Sequence, residues 1–204
     1  MTERDYSTKP INERFDHILG LLSSSRFLNM EGLGNEVPFF ICSFNPKEQI
    51  EAIRIQRQLV NQLSNKGIKV LEINLYDISI EILKEEEILQ SIFDNEPEWE
   101  KDELKELLQD SLDPETVLIP KIAQKMAESE FQILFISGVG EVFPYIRSHN
   151  ILNNLQSTAK DRPTVMFFPG AYTQCKLDGS SLDLFGRLRD DRYYRAFNID
   201  HCEV

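Results

Sequence analysis

Apolar residues along the chain follow two spacings, one typical of amphipathic helices and the other of buried strands. Helical spacing over residues 11–25 predicts a first helix. The apolar run 38–44 then predicts a buried strand. A second helix should follow it directly, because Asn45 can cap a helix and Pro46 suits its first turn. The helix is expected to end at Gly67, a residue typical of helix C-termini.

Four further strands are predicted after that helix. Residues 68–75 alternate between apolar and polar side chains, so the first two strands and their helix form a β-α-β unit with parallel strands. Runs of strand character recur at 131–136, 164–168 and 194–199. The pattern predicts a single α/β domain over residues 1–204, in three layers around a mostly parallel sheet of about five strands. Residues 1–10 are expected to be flexible.

The connection between the second and third strands is predicted to be a helical acidic insert over residues 79–128. Between Glu81 and Glu115 there are 14 acidic residues and three lysines, so this segment carries −11 of the net charge of −12. Such a surface can attract basic partners and repel DNA. A charged, solvated helix face is also ordinary. The sequence leaves open a solvated face, partner docking and DNA mimicry, with Glu100 and Glu103 as candidate partner contacts.

The turns after the strands lack the residues of known nucleotide sites. Ligands of such sheets bind beyond the carboxyl ends of the strands. The turn after the first strand has no glycine, and no Gly-Lys-Ser/Thr occurs in the chain, which argues against NTP hydrolysis. Gly138 and Gly140 form a partial dinucleotide fingerprint, but Phe143 occupies the third glycine position. We expect this turn to cap a following helix, with anion binding at that helix as the alternative.

No pattern of catalytic residues stands out. There is no nucleophile elbow, and the three histidines and three cysteines lack the spacing of a metal site. Asp77 and Glu141 follow strands, where magnesium ligands can lie, but carboxylates there are commonly helix caps. The sequence therefore predicts a non-enzymatic protein without cofactor or metal. No apolar run has the length of a membrane span or signal peptide, so we expect a cytoplasmic protein.

The C-terminal third combines aromatic and arginine side chains of the kind enriched in interface hot spots. Internal ion pairing around packed tyrosines is the simpler interpretation, and nucleic-acid contact is a further one. The candidate partner-binding residues there are Phe168, Pro169, Gly170, Tyr172, Phe185, Arg189, Arg192, Tyr193, Tyr194 and Arg195.

Four blocks of the sequence together resemble one family. They are PFFICSFNP, ILFISGVGEVFPYIRSHNILNNLQ, PTVMFFPGAY and SLDLFGRLRDDRYYRAFNI, which span most of the chain. These blocks are similar to those of the BrxB family, formerly a domain of unknown function, from the BREX phage-defence system. The resemblance implies a small core subunit with no assigned catalytic activity. It also implies neighbours that include the phosphatase-like PglZ, the ATPase BrxC and the methyltransferase PglX.

The resemblance and the missing phosphate loop point to the same kind of function. A sheet resembling a degenerate P-loop NTPase-like or Rossmann-like fold fits a scaffold reused for assembly. We expect a non-enzymatic assembly or adaptor subunit of a BREX complex that binds PglZ or, next, BrxC. The alternatives are a nucleotide- or anion-binding regulatory subunit and a DNA-contacting subunit of the same complex.

Overall fold

The structure is a computed structural model that describes residues 9–31, 38–175, 179–191 and 196–202. Most of the segment 1–10 lies outside these ranges, so its predicted flexibility stays a prediction. Four of the candidate partner residues also lie outside them, namely Arg192, Tyr193, Tyr194 and Arg195.

Seven strands within the described residues form one sheet. Five of them run parallel in the order β2-β3-β4-β1-β7, and the other two extend β4 as an antiparallel hairpin. This confirms the predicted α/β class and the mostly parallel sheet. The strands are β1 (Phe39–Phe44), β2 (Val70–Asn74), β3 (Ile133–Ser137), β4 (Thr164–Cys175), β5 (Gly179–Leu184), β6 (Leu188–Asp191) and β7 (Phe197–Asn198).

Helices cover both faces of the sheet. Side chains alternate along each strand, so Phe39 and Ile41 enter one apolar core while Phe40 and Cys42 enter the other. None of the described helices has the length and apolar character needed to span a bilayer. The helices are α1 (Phe15–Leu22), α2 (Ser25–Leu28), α3 (Gln49–Asn65), α4 (Leu75–Glu85), α5 (Ile88–Asn95), α6 (Lys101–Ser111), α7 (Ile119–Ala127) and α8 (Ser148–Thr158).

Each core belongs to a different set of helices. Helices α1 and α3 pack on the face of Phe40, whereas α4, α5, α7 and α8 pack on the face of Phe39. Two helical layers around one sheet confirm the predicted three-layer arrangement. The segment 79–128, which was predicted as an acidic helical insert, extends from the middle of α4 to just past the end of α7.

The C-terminal strands differ from the sequence prediction. The prediction ended the fourth strand at Phe168, but β4 continues through Pro169 and Gly170 into the β4-β5-β6 hairpin. Pro169 lacks an N–H but still accepts a bond through its carbonyl, from the N–H of Phe185 at 2.9 Å. The predicted strand 194–199 is only Phe197–Asn198 among the described residues, because a 3₁₀ turn, Ile199–His201, follows at once.

The turn after β3 also differs from the prediction. A helix was expected to begin directly after the two glycines, but α8 begins only at Ser148. Gly138 has a φ of +75°, and Pro144 has no N–H to donate within a helix. These two residues keep the chain irregular between β3 and α8. Tyr145 lies in this irregular segment and is half-buried.

A buried ion pair joins the two ends of the described chain. Arg14 Nη1 lies 3.1 Å from Asp200 Oδ2, and the side chains are 1% and 0% exposed. Arg14 Nη2 also donates to Cys42 Sγ in β1 at 3.4 Å. Burial raises the pKa of the Cys42 thiol to about 11. The cluster therefore ties the segment before α1 and the turn after β7 to the centre of the sheet.

Candidate functional site

A cavity of about 430 Å³ opens where the parallel strands end. Its walls include Phe44 at the end of β1, Asn74 at the end of β2 and Ser137 at the end of β3, together with the first turns of α3 and α4. This carboxyl edge of the sheet is where α/β proteins usually bind their ligands. We refer to the cavity as the crevice.

Asn74 and Gly138 shape one wall of the crevice. The Asn74 side chain caps α4, since its Oδ1 accepts from the N–H groups of Tyr76 at 2.8 Å and Asp77 at 3.3 Å. Gly138 lies directly against this cap, and a Cβ at Gly138 would overlap the Asn74 amide. With its positive φ, the position suits glycine for both reasons. Gly138 thus has a packing role at this turn.

Gly140 lies where the turn after β3 contacts Pro169 of β4 and Phe185, which follows β5. A Cβ added there would lie 2.9 Å from the Phe185 ring and 3.0 Å from Pro169. Phe185 also meets Phe143 edge-on, with ring centroids 6.3 Å apart. The glycine turn and the tip of the β4-β5-β6 hairpin therefore form one packed unit beside the crevice. The anion site proposed at a helix N-terminus lacks its helix, because α8 begins at Ser148.

The charges that line the crevice are mainly negative. Four carboxylates and two cations line it, namely Glu72, Asp77, Glu81, Glu141, Arg57 and Lys125. Lys125 Nζ lies 2.8 Å from Glu81 Oε2, and this hydrogen bond holds the pKa of Glu81 below its ordinary value. Gln49 Nε2 donates to Glu141 Oε1 at 3.3 Å, and Gln56 Nε2 donates to Glu72 Oε2 at 3.0 Å. Such a lining disfavours phosphate and favours a cationic group.

Metal binding gains no support from these carboxylates. Asp77 and Glu141, weighed as magnesium ligands from the sequence, both line the crevice. Within the described ranges, however, no three His, Cys, Asp or Glu side chains are grouped so as to hold an ion.

Large apolar side chains are exposed around this same edge of the sheet. Ile50 and Ile53 belong to the first turns of α3. Tyr76 belongs to the first turn of α4, and Phe93 belongs to α5, which lies beside α4. The others lie on the hairpin. The six such residues in the described part of the chain are Ile50, Ile53, Tyr76, Phe93, Phe185 and Leu188. We call these six residues the edge patch.

The predicted partner residues fall into three groups. Phe168, Pro169 and Tyr172 are buried, and Tyr172 donates its hydroxyl hydrogen to the carbonyl of Ala196 at 2.7 Å. Burial removes these three from the surface that a partner could touch in this conformation. Gly170 is half-buried.

The remaining candidates are on the surface or beyond what is described. Phe185 is 36% exposed and belongs to the edge patch. Arg189 lies on β6, and its side chain is outside the described part of the structure, as are residues 192–195. Glu100 and Glu103 are exposed at the start of α6, where the Glu103 carboxylate accepts from the Glu100 N–H at 3.0 Å. Glu103 therefore has a role in capping the helix.

Sequence reasoning missed five residues of the edge patch, namely Ile50, Ile53, Tyr76, Phe93 and Leu188. The apolar stripe that buries α3 consists of Ala52, Ile55, Leu59 and Leu63. Ile50 and Ile53 fall outside this stripe, which is the sequence signal that could have marked them as surface residues. For Phe93, the comparable signal is its neighbour Ile92, which takes the buried position of α5.

Comparisons with known proteins identify the family. The family model described as "BREX protein BrxB" matches residues 71–199. The chain is 37% identical to the BREX protein BrxB of Bacillus cereus (strain H3081.97) over 196 residues, 93% of this chain and 97% of that protein. It is 26% identical to the BREX protein BrxB of Escherichia coli O9:H4 (strain HS), over 91% of this chain and 90% of that protein. No solved structure matches the chain significantly, so the resemblance to nucleotide-binding folds stays a prediction. The chain belongs to the BrxB family of BREX proteins.

Proposed function

We propose that the chain is a non-enzymatic assembly subunit of a cytoplasmic BREX phage-defence complex. It binds other BREX proteins, PglZ first and BrxC next, through the carboxyl edge of its sheet. The observation that carries the proposal is the edge patch. Exposed apolar side chains lie around the carboxyl edge of the sheet, where α/β proteins usually bind their ligands.

The arrangement of the edge patch fits a protein interface. Scattered surface hydrophobics are normal, but apolar side chains grouped beside polar residues mark interaction sites. Ile50 is 85% exposed and gives α3 no visible packing benefit. Burying such a side chain against a partner stabilises a complex by roughly 1.5–3 kcal/mol. The charged crevice beside Ile53 would supply the polar contacts that set orientation.

The crevice itself supports a protein ligand over a nucleotide. Its carboxylates outnumber its cations, and a phosphate entering it would meet Asp77 and Glu141. The turn after β1 offers no glycine loop, since Asn45 and Pro46 lead directly into a 3₁₀ turn. Both features favour assembly over nucleotide-dependent regulation.

Capture of PglZ and BrxC by the purified protein tests the proposal. We expect the double variant Ile50→Gln/Ile53→Gln to bind PglZ more weakly by at least about tenfold, because interface hot spots are buried apolar anchors. The matched control is Gln58→Ala/Gln62→Ala, which changes two exposed residues farther along the same helix. This control should bind as the unmodified chain does.

Two results would overturn the proposal. One is an absence of binding between the unmodified chain and every BREX subunit. The other is calorimetric binding of ATP, GTP or NAD that is lost when crevice residues are replaced, which would make the chain a nucleotide-binding regulator.

The acidic insert provides a second test of the same function. Glu98 and Glu106 are exposed, so replacing both with lysine should weaken the binding of a basic partner while leaving the fold intact. Glu103 is left unchanged because it caps α6. The control is Glu98→Gln/Glu106→Gln, which should weaken binding less. Equal affinity of all three proteins would show that this face is only solvated.

A further inference from the structure

Helices α4 and α5 enclose an apolar groove beside the crevice. Its volume is about 540 Å³. Tyr76 and Ile80 lie one turn apart on α4, and Leu89 and Phe93 lie one turn apart on α5, so each helix contributes one apolar pair. The groove and the crevice share Asp77. The two concavities therefore belong to one continuous surface.

The aromatic side chains of the groove are exposed, and the packing of α5 does not depend on them. Phe93 is 61% exposed and Tyr76 is 43% exposed. Ile92, the neighbour of Phe93, is 6% exposed and anchors α5 in the core. Leu89 is half-buried and packs against the same core. Phe93 and Tyr76 are thus left on the surface, where an incoming apolar side chain can contact both.

The charge around the groove indicates the chemistry of its occupant. Asp77, Glu81 and Lys84 line it, and the segment from Glu81 to Glu115 carries −11. A partner rich in Lys and Arg would be attracted to this surface, whereas an acidic partner or nucleic acid would be repelled. Two apolar pairs, one on each helix, with acidic residues beside them match the binding of an amphipathic helix in a groove.

We propose that the α4-α5 groove binds the apolar face of a basic, amphipathic helix from another subunit. The inference rests on the proposed function and names the surface and the kind of partner segment. Apolar residues one turn apart on that helix contact Tyr76 and Phe93, and its lysines and arginines face the carboxylates around the groove.

Site-specific photocrosslinking tests the position and the chemistry together. A benzophenone amino acid replaces Phe93 in one protein and Gln62, on the far part of α3, in the control protein. Both are expressed with the complete set of BREX proteins and irradiated, and mass spectrometry identifies the attached peptide. We expect attachment from position 93 only, to a segment with apolar residues three or four apart and several lysines or arginines.

Three crosslinking results would overturn the proposal that the α4-α5 groove binds a basic helix. They are assembly of the complex without attachment at position 93, attachment to an acidic segment or to nucleic acid, and attachment to a second copy of this chain. If no complex assembles with the unmodified chain, the proposed function itself has failed.

Affinity measurements separate the groove from the rest of the edge patch. We expect Phe93→Ser and Tyr76→Ser each to weaken capture of the partner about tenfold, with an unchanged circular dichroism spectrum and melting temperature. Phe93→Leu, which keeps an apolar side chain, should lose less. Raising the salt concentration should weaken binding because it screens the charges. If both serine variants bind with full affinity while Ile50→Gln/Ile53→Gln binds weakly, the groove is not the binding site, and the proposed function still holds.

Discussion

Replacing Asp200 with asparagine should destabilise the protein strongly. The Arg14 and Asp200 side chains are 3.1 Å apart and 1% and 0% exposed, so water cannot solvate an arginine that loses its partner. Removing one member of such a pair costs about 3–5 kcal/mol. Domains are stable by only about 5–15 kcal/mol, so the variant should lose a large part of its stability. For a chain of this size, the loss corresponds to a fall in Tm of roughly 6–20 °C.

Urea unfolding followed by circular dichroism measures this effect. Linear extrapolation gives the free energy of unfolding for the unmodified chain, Asp200→Asn, Arg14→Met and the double variant Arg14→Met/Asp200→Asn. The double variant should be more stable than the sum of the single losses predicts, because it leaves no isolated charge in the core. The control is Glu130→Gln, which removes the exposed pair of Lys69 and Glu130 at 2.7 Å and should leave stability unchanged.

Two outcomes would refute this reasoning. One is a loss below about 1 kcal/mol for Asp200→Asn, which would mean that water reaches Arg14. The other is a double variant that is less stable than additivity predicts, which would show that the desolvation argument has the wrong sign.

Three further predictions concern separate parts of the fold. Gly170→Ala should lower the free energy of unfolding by about 1–3 kcal/mol in urea titrations, since its Cβ would overlap the backbone carbonyl of Asp183; unchanged stability would contradict this close approach. Cys42 is buried and its pKa is raised to about 11, so iodoacetamide at about pH 8 should label it only after unfolding; labelling of the folded chain at the unfolded rate would contradict its burial. The Lys125 ammonium lowers the pKa of Glu81 in the folded state, so the folded state binds this proton more weakly. The stabilisation is complete above the ordinary pKa of 4.5 and is lost as the pH falls below it, so Glu81→Gln should show a smaller fall in Tm on acidification.

Local sequence determined most of the regular elements. Asn45 caps the turn into α3, and Gly67, with a φ of +78°, follows the end of that helix, both as predicted. These signals act through a few neighbouring residues, so they need no knowledge of distant parts of the chain. Strands β1, β3 and β4 were predicted for the same reason, since apolar runs of strand length identify buried strands. Strand β2 was predicted from its alternation of apolar and polar residues.

The sequence alone predicted the place of the candidate site but only some of its residues. Parallel strands put their carboxyl ends at one edge, and the crevice lies there. Phe168 and Tyr172 are of residue types that are common at interfaces, yet both are buried. Phe93 was not predicted as a contact, yet it is exposed. An aromatic residue serves a core and an interface equally well, so its type does not reveal which one it enters.

Only the tertiary structure decided which side chains reach the surface and which segments meet. From the local sequence, Pro169-Gly170 indicates a turn. In the fold, β4 instead continues through these residues and pairs with β5, and the backbone of Asp183 lies close to Gly170. Arg14 and Asp200 form a buried pair although nearly the whole chain separates them. Elements arise from interactions between neighbours in sequence, whereas burial and exposure depend on the packing of distant segments. This is why the sequence determined the layers of this protein and the fold determined its proposed docking surface.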